Sequence, residues 1–161
     1  MSNSYSKDFP ISRDEMHRHS KLLAWRLLEK GPWKGVAAVT RGGLVPACVV
    51  ARELDLRLIE TICIASYDHQ DQGSAKILKL ENMGDGTGWL VVDDLVDTGN
   101  TFKIIREKLP KAHYAAVYAK PQGMPTCDTY ITEVSQDTWI FFPWDLEAQY
   151  RTPLAETGKK V

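Results

Sequence analysis

The sequence has few of the features that mark secreted, membrane-spanning or nucleic-acid-binding proteins. Its 161 residues include three cysteines, an odd number without metal-type spacing, which favours reduced thiols in a cytosolic protein over a disulfide framework. Twenty basic and twenty-one acidic side chains leave a net charge of −1, which disfavours a nonspecific nucleic-acid binder. The N-terminal segment lacks an apolar core and no run reaches the length of a membrane span, so neither a signal peptide nor a transmembrane helix is expected.

The sequence otherwise has the composition of an ordinary globular protein, with 43% hydrophobic and 25% charged residues, and its length fits a single domain, residues 1–161. A capping box of Ser12 and Glu15 predicts a first helix over about residues 13–30. After it, apolar strands alternate with helices: strands at 35–40, 57–65, 89–94 and 113–120, and helices at 44–56 and 101–110. Strands that are apolar on both faces and alternate with helices predict an open, mostly parallel twisted α/β sheet flanked by helices.

Two segments interrupt this alternation. Residues 65–88 are polar and glycine-rich around the alternating piece AKILKL, which favours a hairpin or a mobile flap, in functional terms a lid. Residues 121–145 are irregular, with PQGMP followed by DTWIFFPWD, and we expect them to form a small C-terminal hood.

The most informative stretch is WLVVDDLVDTGNT, residues 89–101, in which an apolar run leads into Asp93-Asp94 and Asp97. In open parallel sheets, ligands bind outside the carboxyl ends of the strands. Two carboxylates about 4 Å apart repel by roughly 4 kcal/mol at an effective dielectric of about 20, so such a pair needs a cation or several hydrogen-bond donors nearby. A sugar diol and a divalent metal would supply both.

The next residues, Thr98–Thr101, precede the helix that begins near Phe102. They offer backbone N–H groups and hydroxyls at a helix N-terminus, which is an anion site. An acidic N-cap before a turn would explain the Thr-Gly turn alone, but not two adjacent acids after an apolar strand, because buried acids are costly unless paired. Carboxylates followed by an anion loop therefore predict a phosphoribosyl site.

This stretch resembles the phosphoribosyl-pyrophosphate (PRPP) binding motif of the type I phosphoribosyltransferases. Taken with VTRGGLVPA, SYDH, AKP and QDTWIFFPWD, in their order and spacing, it is similar to the bacterial xanthine-guanine branch of that family. The resemblance covers about residues 12–145. It implies a Mg²⁺-dependent glycosyltransferase of purine salvage, which moves the 5-phosphoribosyl group from PRPP to N9 of guanine or xanthine, and less well of hypoxanthine, giving GMP, XMP or IMP plus pyrophosphate.

The resemblance implies which residues bind PRPP. Arg41 and Gly42, in the loop after the first core strand, would bind pyrophosphate through backbone N–H groups, with Gly43 allowing close approach. Asp93 and Asp94 would hold the ribose hydroxyls, and Asp94 would also contact Mg²⁺. The full PRPP-binding set, which ends in the loop that would cradle the 5′-phosphate, is Arg41, Gly42, Asp93, Asp94, Leu95, Val96, Asp97, Thr98, Gly99, Asn100 and Thr101.

The purine site is implied in the same way. Asp97 would face N7 of the base and handle its proton as the catalytic residue. Lys120 would donate to O6, since an ammonium group offers only donors and so selects an oxo group. Trp139 would stack on the ring, and the carbonyl of Ile140 would accept from the exocyclic amino group.

The sequence departs from the family pattern at two places. The lid carries QDQGSAK where members of the family have an arginine, and Lys76 is the candidate substitute. Phe141-Phe142 stand where a Glu-Gln pair follows the Trp-Ile. The first departure bears on pyrophosphate recognition, and the second on the ranking of guanine, xanthine and hypoxanthine.

Two other kinds of protein share parts of this pattern. A non-catalytic regulator with the same fold would sense PRPP or a nucleotide and bind nucleic acid, but it would be expected to carry a basic face. A phospho-acceptor signalling domain would place its acid pair after the first strand. The resemblance instead implies small-molecule substrates and no nucleic acid, a homo-oligomer that is a tetramer, and a cytoplasmic location, with peripheral contact to the inner membrane in some members.

Overall fold

The computed structural model describes residues 5–66, 75–147 and 149–150, which divide into two compact units. Of these residues, the ones between 17 and 136 form the large unit, and 5–16 with 137–147 and 149–150 form the small one. The helices are α1 (Arg13–Leu28), α2 (Leu44–Glu53) and α3 (Asn100–Lys108), with a 3₁₀ turn at Met124–Thr126. The strands are β1 (Lys7–Pro10), β2 (Gly35–Thr40), β3 (Ile59–Ser66), β4 (Ala75–Lys79), β5 (Trp89–Val96), β6 (His113–Ala119), β7 (Thr129–Glu133), β8 (Thr138–Phe141), β9 (Leu146–Glu147) and β10 (Gln149–Tyr150).

The large unit contains a six-stranded sheet in the order β4-β3-β2-β5-β6-β7. All its neighbouring strands are parallel except β3 and β4, which pair antiparallel. The apolar runs of β2, β5 and β6 are buried, as expected for strands covered on both faces. On one face Phe102 and Ile105 of α3 pack into the core, and Phe102 meets Tyr114 edge to face at 5.2 Å. The predicted α/β class is confirmed.

The first helix begins where its capping box predicts. The N–H of Ser12 donates to Glu15 Oε2 at 2.8 Å, and the N–H of Glu15 donates to Ser12 Oγ at 3.1 Å. The helix ends at Leu28, two residues before the predicted end. The capping box therefore predicted the start of this helix correctly.

The third core strand, β5, is longer than the sequence indicated. It pairs with β6 as far as Val96 and Ala119, so the backbone ladder carries it past Asp93 and Asp94, where the prediction ended it. The two acids thus lie on the strand itself, close to its carboxyl end. Asp97 is the first residue after it.

The sheet has its topological switch point between β2 and β5. The chain leaves β2 toward β3 on one side and leaves β5 toward β6 on the other, while β2 and β5 themselves are parallel neighbours. The loops that follow them meet at the carboxyl edge of the sheet, which is where ligands of open α/β sheets bind.

The expected lid and hood both contain regular structure. Strands β3 and β4 form the two arms of a hairpin, in which Lys76 pairs with Ala65, while residues 67–74 lie outside the described residues. Residues 121–136, the first part of the expected hood, belong to the large unit, where β7 pairs with β6. In the small unit β1 pairs in parallel with β8, a strand pair that the sequence did not indicate. Within the described ranges, no helix is long and apolar enough to cross a membrane.

Candidate active site

Two consecutive glycines bring the loop after β2 against the end of β5. A Cβ atom on Gly42 would lie 2.1 Å from Oδ2 of Asp94, and one on Gly43 would lie 2.4 Å from the carbonyl oxygen of Val92. Neither position has room for a larger residue, so the backbone of this loop runs directly alongside the Asp94 carboxylate. Arg41 precedes them with an exposed side chain and a cis peptide bond to Thr40.

The adjacent carboxylates of β5 are in an unfavourable environment for two negative charges. Burial raises the pKa of Asp93 well above its ordinary value, and the negative charge of Asp94 raises it further. Backbone donors offset part of this cost: the N–H of Asp94 donates to Asp93 Oδ1 at 2.8 Å, and the N–H of Leu95 donates to Asp94 Oδ1 at 2.7 Å. A ligand that brought positive charge or hydroxyl donors would relieve the remainder.

This acid pair fits Mg²⁺ as a shared ligand set. Carboxylate oxygens are hard ligands, and Mg²⁺ is usually held by one or two carboxylates together with waters and substrate phosphates. Among the residues that the structure describes, no group of three acidic, histidine or cysteine side chains forms a complete metal cage. Asp94, with Asp93 beside it, could hold the ion together with waters and the phosphates of a substrate.

The loop after β5 forms a cleft of about 330 Å³. Gly99 adopts a φ of +87°, and a Cβ there would lie 2.7 Å from Cγ2 of Thr126, so glycine is required by both conformation and space. Helix α3 begins at the next residue and points its N-terminal N–H groups into the loop, where anions are stabilised. The residues that line the cleft are Asp93, Leu95, Val96, Asp97, Thr98, Gly99, Asn100, Thr101 and Phe102.

The predicted PRPP residues therefore gather at the switch point. Nearly all of the β5 set lines the cleft, while Asp94 lies against Gly42. Gly123, which the sequence analysis did not single out, lies directly against this loop. A Cβ on it would lie 2.7 Å from the carbonyl oxygen of Asp97, so a larger residue would not fit there. Its only sequence signal is its place in PQGMP.

Asp97 is held from both sides. Lys120, whose side chain is only 1% exposed, donates from Nζ to Asp97 Oδ2 at 2.9 Å. Gln136 donates from Nε2 to the other oxygen, Oδ1, at 2.7 Å. Lys120 thus lies beside Asp97. The sequence analysis did not single out Gln136, because nothing in the spacing of QDTWIFFPWD indicates a partner 39 residues earlier.

The two other predicted base contacts lie in the small unit, on β8. Trp139 is 41% exposed and its ring meets Tyr5 at 4.9 Å and Phe141 at 6.4 Å, both edge to face. Ile140 is buried, and Phe142 stacks on Trp144 at 5.0 Å. An indole with an exposed ring, steadied by aromatic neighbours, is suited to stacking on a planar ligand.

Residues 12–151 match the sequence profile of the phosphoribosyl transferase domain. The chain belongs to the phosphoribosyltransferase family. It is 62% identical over 151 residues to a protein of Nitratidesulfovibrio vulgaris (strain DP4) named xanthine-guanine phosphoribosyltransferase, covering 93% of this chain and 92% of that protein. A protein of the same name from Desulfotalea psychrophila (strain LSv54 / DSM 12343) is 59% identical over 155 residues, 96% of each chain.

Solved structures of the family agree in fold. The purine phosphoribosyltransferase from Pyrococcus horikoshii Ot3 superimposes with a TM-score of 0.74 at 25% identity, covering 90% of this chain and 99% of that one. The resemblance drawn from the sequence motifs is thereby confirmed at the level of the family, and the cleft after β5 is its candidate active site.

Proposed function

We propose that this phosphoribosyltransferase moves the 5-phosphoribosyl group of PRPP to N9 of guanine or xanthine, and less well of hypoxanthine. The observation that carries the proposal is the cleft after β5, in which acids and a helix N-terminus line one small space, in a chain 62% identical to a protein named for this activity. The products are GMP, XMP or IMP, together with pyrophosphate.

In this proposal the two loops at the switch point bind different parts of PRPP. Thr98–Thr101 and the N-terminus of α3 hold the 5′-phosphate through N–H and hydroxyl donors. Asp93 and Asp94 accept hydrogen bonds from the ribose hydroxyls, which offsets the burial and the charge repulsion that together raise the pKa of Asp93. The backbone N–H groups of Arg41 and Gly42 bind the pyrophosphate, which the tight approach of this loop to Asp94 supports.

The chemical step breaks the bond from C1′ to the pyrophosphate oxygen and forms a bond from C1′ to N9. The electron pair of the broken bond leaves with pyrophosphate, and positive charge builds on the ribose ring, as in glycoside hydrolysis. The carboxylates of β5 favour that cationic ring electrostatically. Asp97 accepts the purine proton from N7. A Mg²⁺ ion held by Asp94, with Asp93 beside it, would supply neutralising charge for the leaving pyrophosphate.

Three groups contact the base in this proposal: Lys120, Trp139 and the carbonyl of Ile140. Lys120, which lies beside Asp97, donates to O6, because an ammonium group offers only donors and so selects an oxo group. Trp139 stacks on the purine, which is worth about 1–3 kcal/mol for bases on aromatic side chains. The carbonyl of Ile140 accepts from the exocyclic amino group of guanine.

We further propose a homo-oligomer, a tetramer, located in the cytoplasm with peripheral contact to the cytoplasmic face of the inner membrane. Support for assembly comes from large apolar side chains that α1 and α2 expose, among them Trp25 (70%), Leu28 (57%) and Val45 (46%), because apolar patches of this kind often mark protein contacts. The three cysteines are free, which fits a reducing compartment. Light scattering on the purified protein measures the oligomeric state directly.

The activity is tested by turnover with PRPP and Mg²⁺ against guanine, xanthine, hypoxanthine, adenine and uracil. We expect nucleotide only from the three 6-oxopurines, and loss of product on chelation. The double variant Phe141→Glu with Phe142→Gln restores the family pair. It should change the order of kcat/KM among those three bases and leave the KM for PRPP unchanged. Binding of PRPP without turnover of any base would contradict the proposed enzymatic activity and favour the non-catalytic sensor.

A further inference from the structure

We propose that Gln136 is a positioning residue of this enzyme: it holds the carboxylate of Asp97 in the orientation that meets the purine. The inference rests on the proposed role of Asp97 in accepting the base proton. Gln136 lies just before the small unit begins, partly buried, and its amide spans two elements of the large unit. One end contacts Asp97 and the other contacts the turn after β6.

The orientation of the Gln136 amide follows from its partners. Oε1 accepts from the backbone N–H of Gln122 at 3.0 Å. A backbone N–H can only donate, so the oxygen must face Gln122 and the NH₂ group must face Asp97. The amide is therefore oriented as a donor to Asp97 Oδ1, at 2.7 Å.

Asp97 then has one donor on each oxygen. Lys120 holds Oδ2 at 2.9 Å from a position that is 1% exposed, and Gln136 holds Oδ1. One contact alone would let the carboxylate turn about χ2, whereas two contacts on opposite oxygens fix its plane. A catalytic carboxylate held in this way is pre-organised for the base, and small errors in such placement cost large factors in rate.

The turn after β6 supplies the rigid support for this amide. The N–H of Gly123 and that of Met124 both donate to the carbonyl of Lys120, at 2.9 and 3.0 Å. The N–H of Lys120 in turn donates to the carbonyl of Val96, at 2.9 Å. The amide of Gln136 thus connects Asp97 to a turn that is itself bonded to the end of β5, which closes a ring of contacts around the carboxylate.

The test uses two substitutions of nearly the same size that separate the two contacts. Gln136→Met removes both hydrogen bonds. Gln136→Glu keeps an acceptor for the N–H of Gln122 but replaces the donor toward Asp97 with a second carboxylate. Gln122→Ala is the matched control, since it removes an exposed side chain and leaves its backbone N–H in place. Thermal unfolding of each variant checks that the fold is kept.

We expect kcat to fall by about 10- to 100-fold in both Gln136 variants, at least as much in Gln136→Glu, with the KM for PRPP changed less than about twofold. Gln122→Ala should match the wild type. Normal kcat in Gln136→Glu with low kcat in Gln136→Met would show that Gln136 only supports the turn, and would overturn the proposal alone. A wild type without turnover would overturn the proposed function as well, so the two failures are distinguishable.

Discussion

Acidic side chains lie at both ends of the central sheet, and the partners of Asp85 and Asp128 at the amino end differ from those of Asp93 at the carboxyl end. At the amino end, Asp128 accepts from the N–H of Tyr114 at 2.8 Å and from Arg106 at 3.1 Å, and Asp85 accepts from Thr87 Oγ1 at 2.7 Å and pairs with Lys111 at 2.9 Å. At the carboxyl end, Asp93 lies beside another acid, Asp94, whose negative charge acts on it.

The pKa shifts record this difference. Hydrogen bonds from Thr87, and then the Lys111 ammonium, hold the pKa of Asp85 well below its ordinary value. Burial and the charge of Asp94 raise the pKa of Asp93. An acid with a lowered pKa contributes to the stability of the fold, whereas one with a raised pKa costs stability and is retained for what it binds. Asp85 at the amino end of the sheet therefore stabilises the fold, whereas Asp93 at the carboxyl end costs stability and is a candidate for binding.

The largest expected effect contrasts Asp97 with Asp128. Asp97→Asn should lower kcat/KM by about 10²–10⁴-fold, because an amide cannot accept the purine proton. Asp128→Asn should leave kcat/KM within about twofold and lower the free energy of unfolding by about 1–2 kcal/mol, since it weakens hydrogen bonds to Arg106 and Tyr114. Steady-state kinetics and thermal unfolding on the same preparations measure both. Equal activity losses in the two variants would contradict the division between the ends of the sheet.

Much of the fold could be predicted from the sequence because its signals are local. The capping box of Ser12 and Glu15 fixes the start of α1 within four residues of chain, and β2 is an apolar run bounded by its own flanking residues. The acids and the Thr-Gly turn form one continuous stretch, so their gathering in a single cleft also followed from the sequence.

The features that the sequence did not indicate depend on distant partners. Strand β1 is exposed along its whole length and becomes a strand only by pairing with β8, more than 130 residues away. The two extra residues of β5 are set by the length of β6 beside it. Gln136 reaches Asp97 only because the turn after β6 places its amide there. Such contacts have no periodicity or spacing that a single sequence could show.

A second, smaller contrast compares two glycines. Gly42→Ala at the carboxyl end would place a Cβ 2.1 Å from Asp94 Oδ2, so we expect the carboxylate to move and the KM for PRPP to rise by about 10-fold or more. Gly86→Ala at the amino end is strained by its φ of +89° and by Ala112 N at 2.7 Å. That variant should lose about 1–3 kcal/mol of stability with an unchanged KM. An unchanged KM in Gly42→Ala would show that the position of Asp94 does not govern PRPP binding.

The finest contrast is the pH dependence of stability at Asp93 and Asp85. Between the ordinary pKa of 3.8 and the raised pKa of Asp93, the folded state binds more protons than the unfolded state, so the stability contributed by this group falls as pH rises. Asp93→Asn removes that fall and should raise Tm at pH 7, by on the order of 2–4 °C for each kcal/mol regained, with little change near pH 3. It should also weaken PRPP binding, because an amide oxygen is a weaker acceptor for the ribose hydroxyls than a carboxylate.

Asp85 has the opposite sign. Its lowered pKa gives stability that is fully present above pH 3.8 and is lost progressively as pH falls from there through the lower folded pKa, so Asp85→Asn should lower Tm slightly at pH 7 and by less at pH 3. Melting curves from pH 3 to pH 8 for the two variants and the wild type should therefore diverge in opposite directions as pH rises. Curves that shift in the same direction would mean that contacts within the fold already stabilise the charged form of Asp93. The raised pKa of Asp93 would then no longer indicate a binding site.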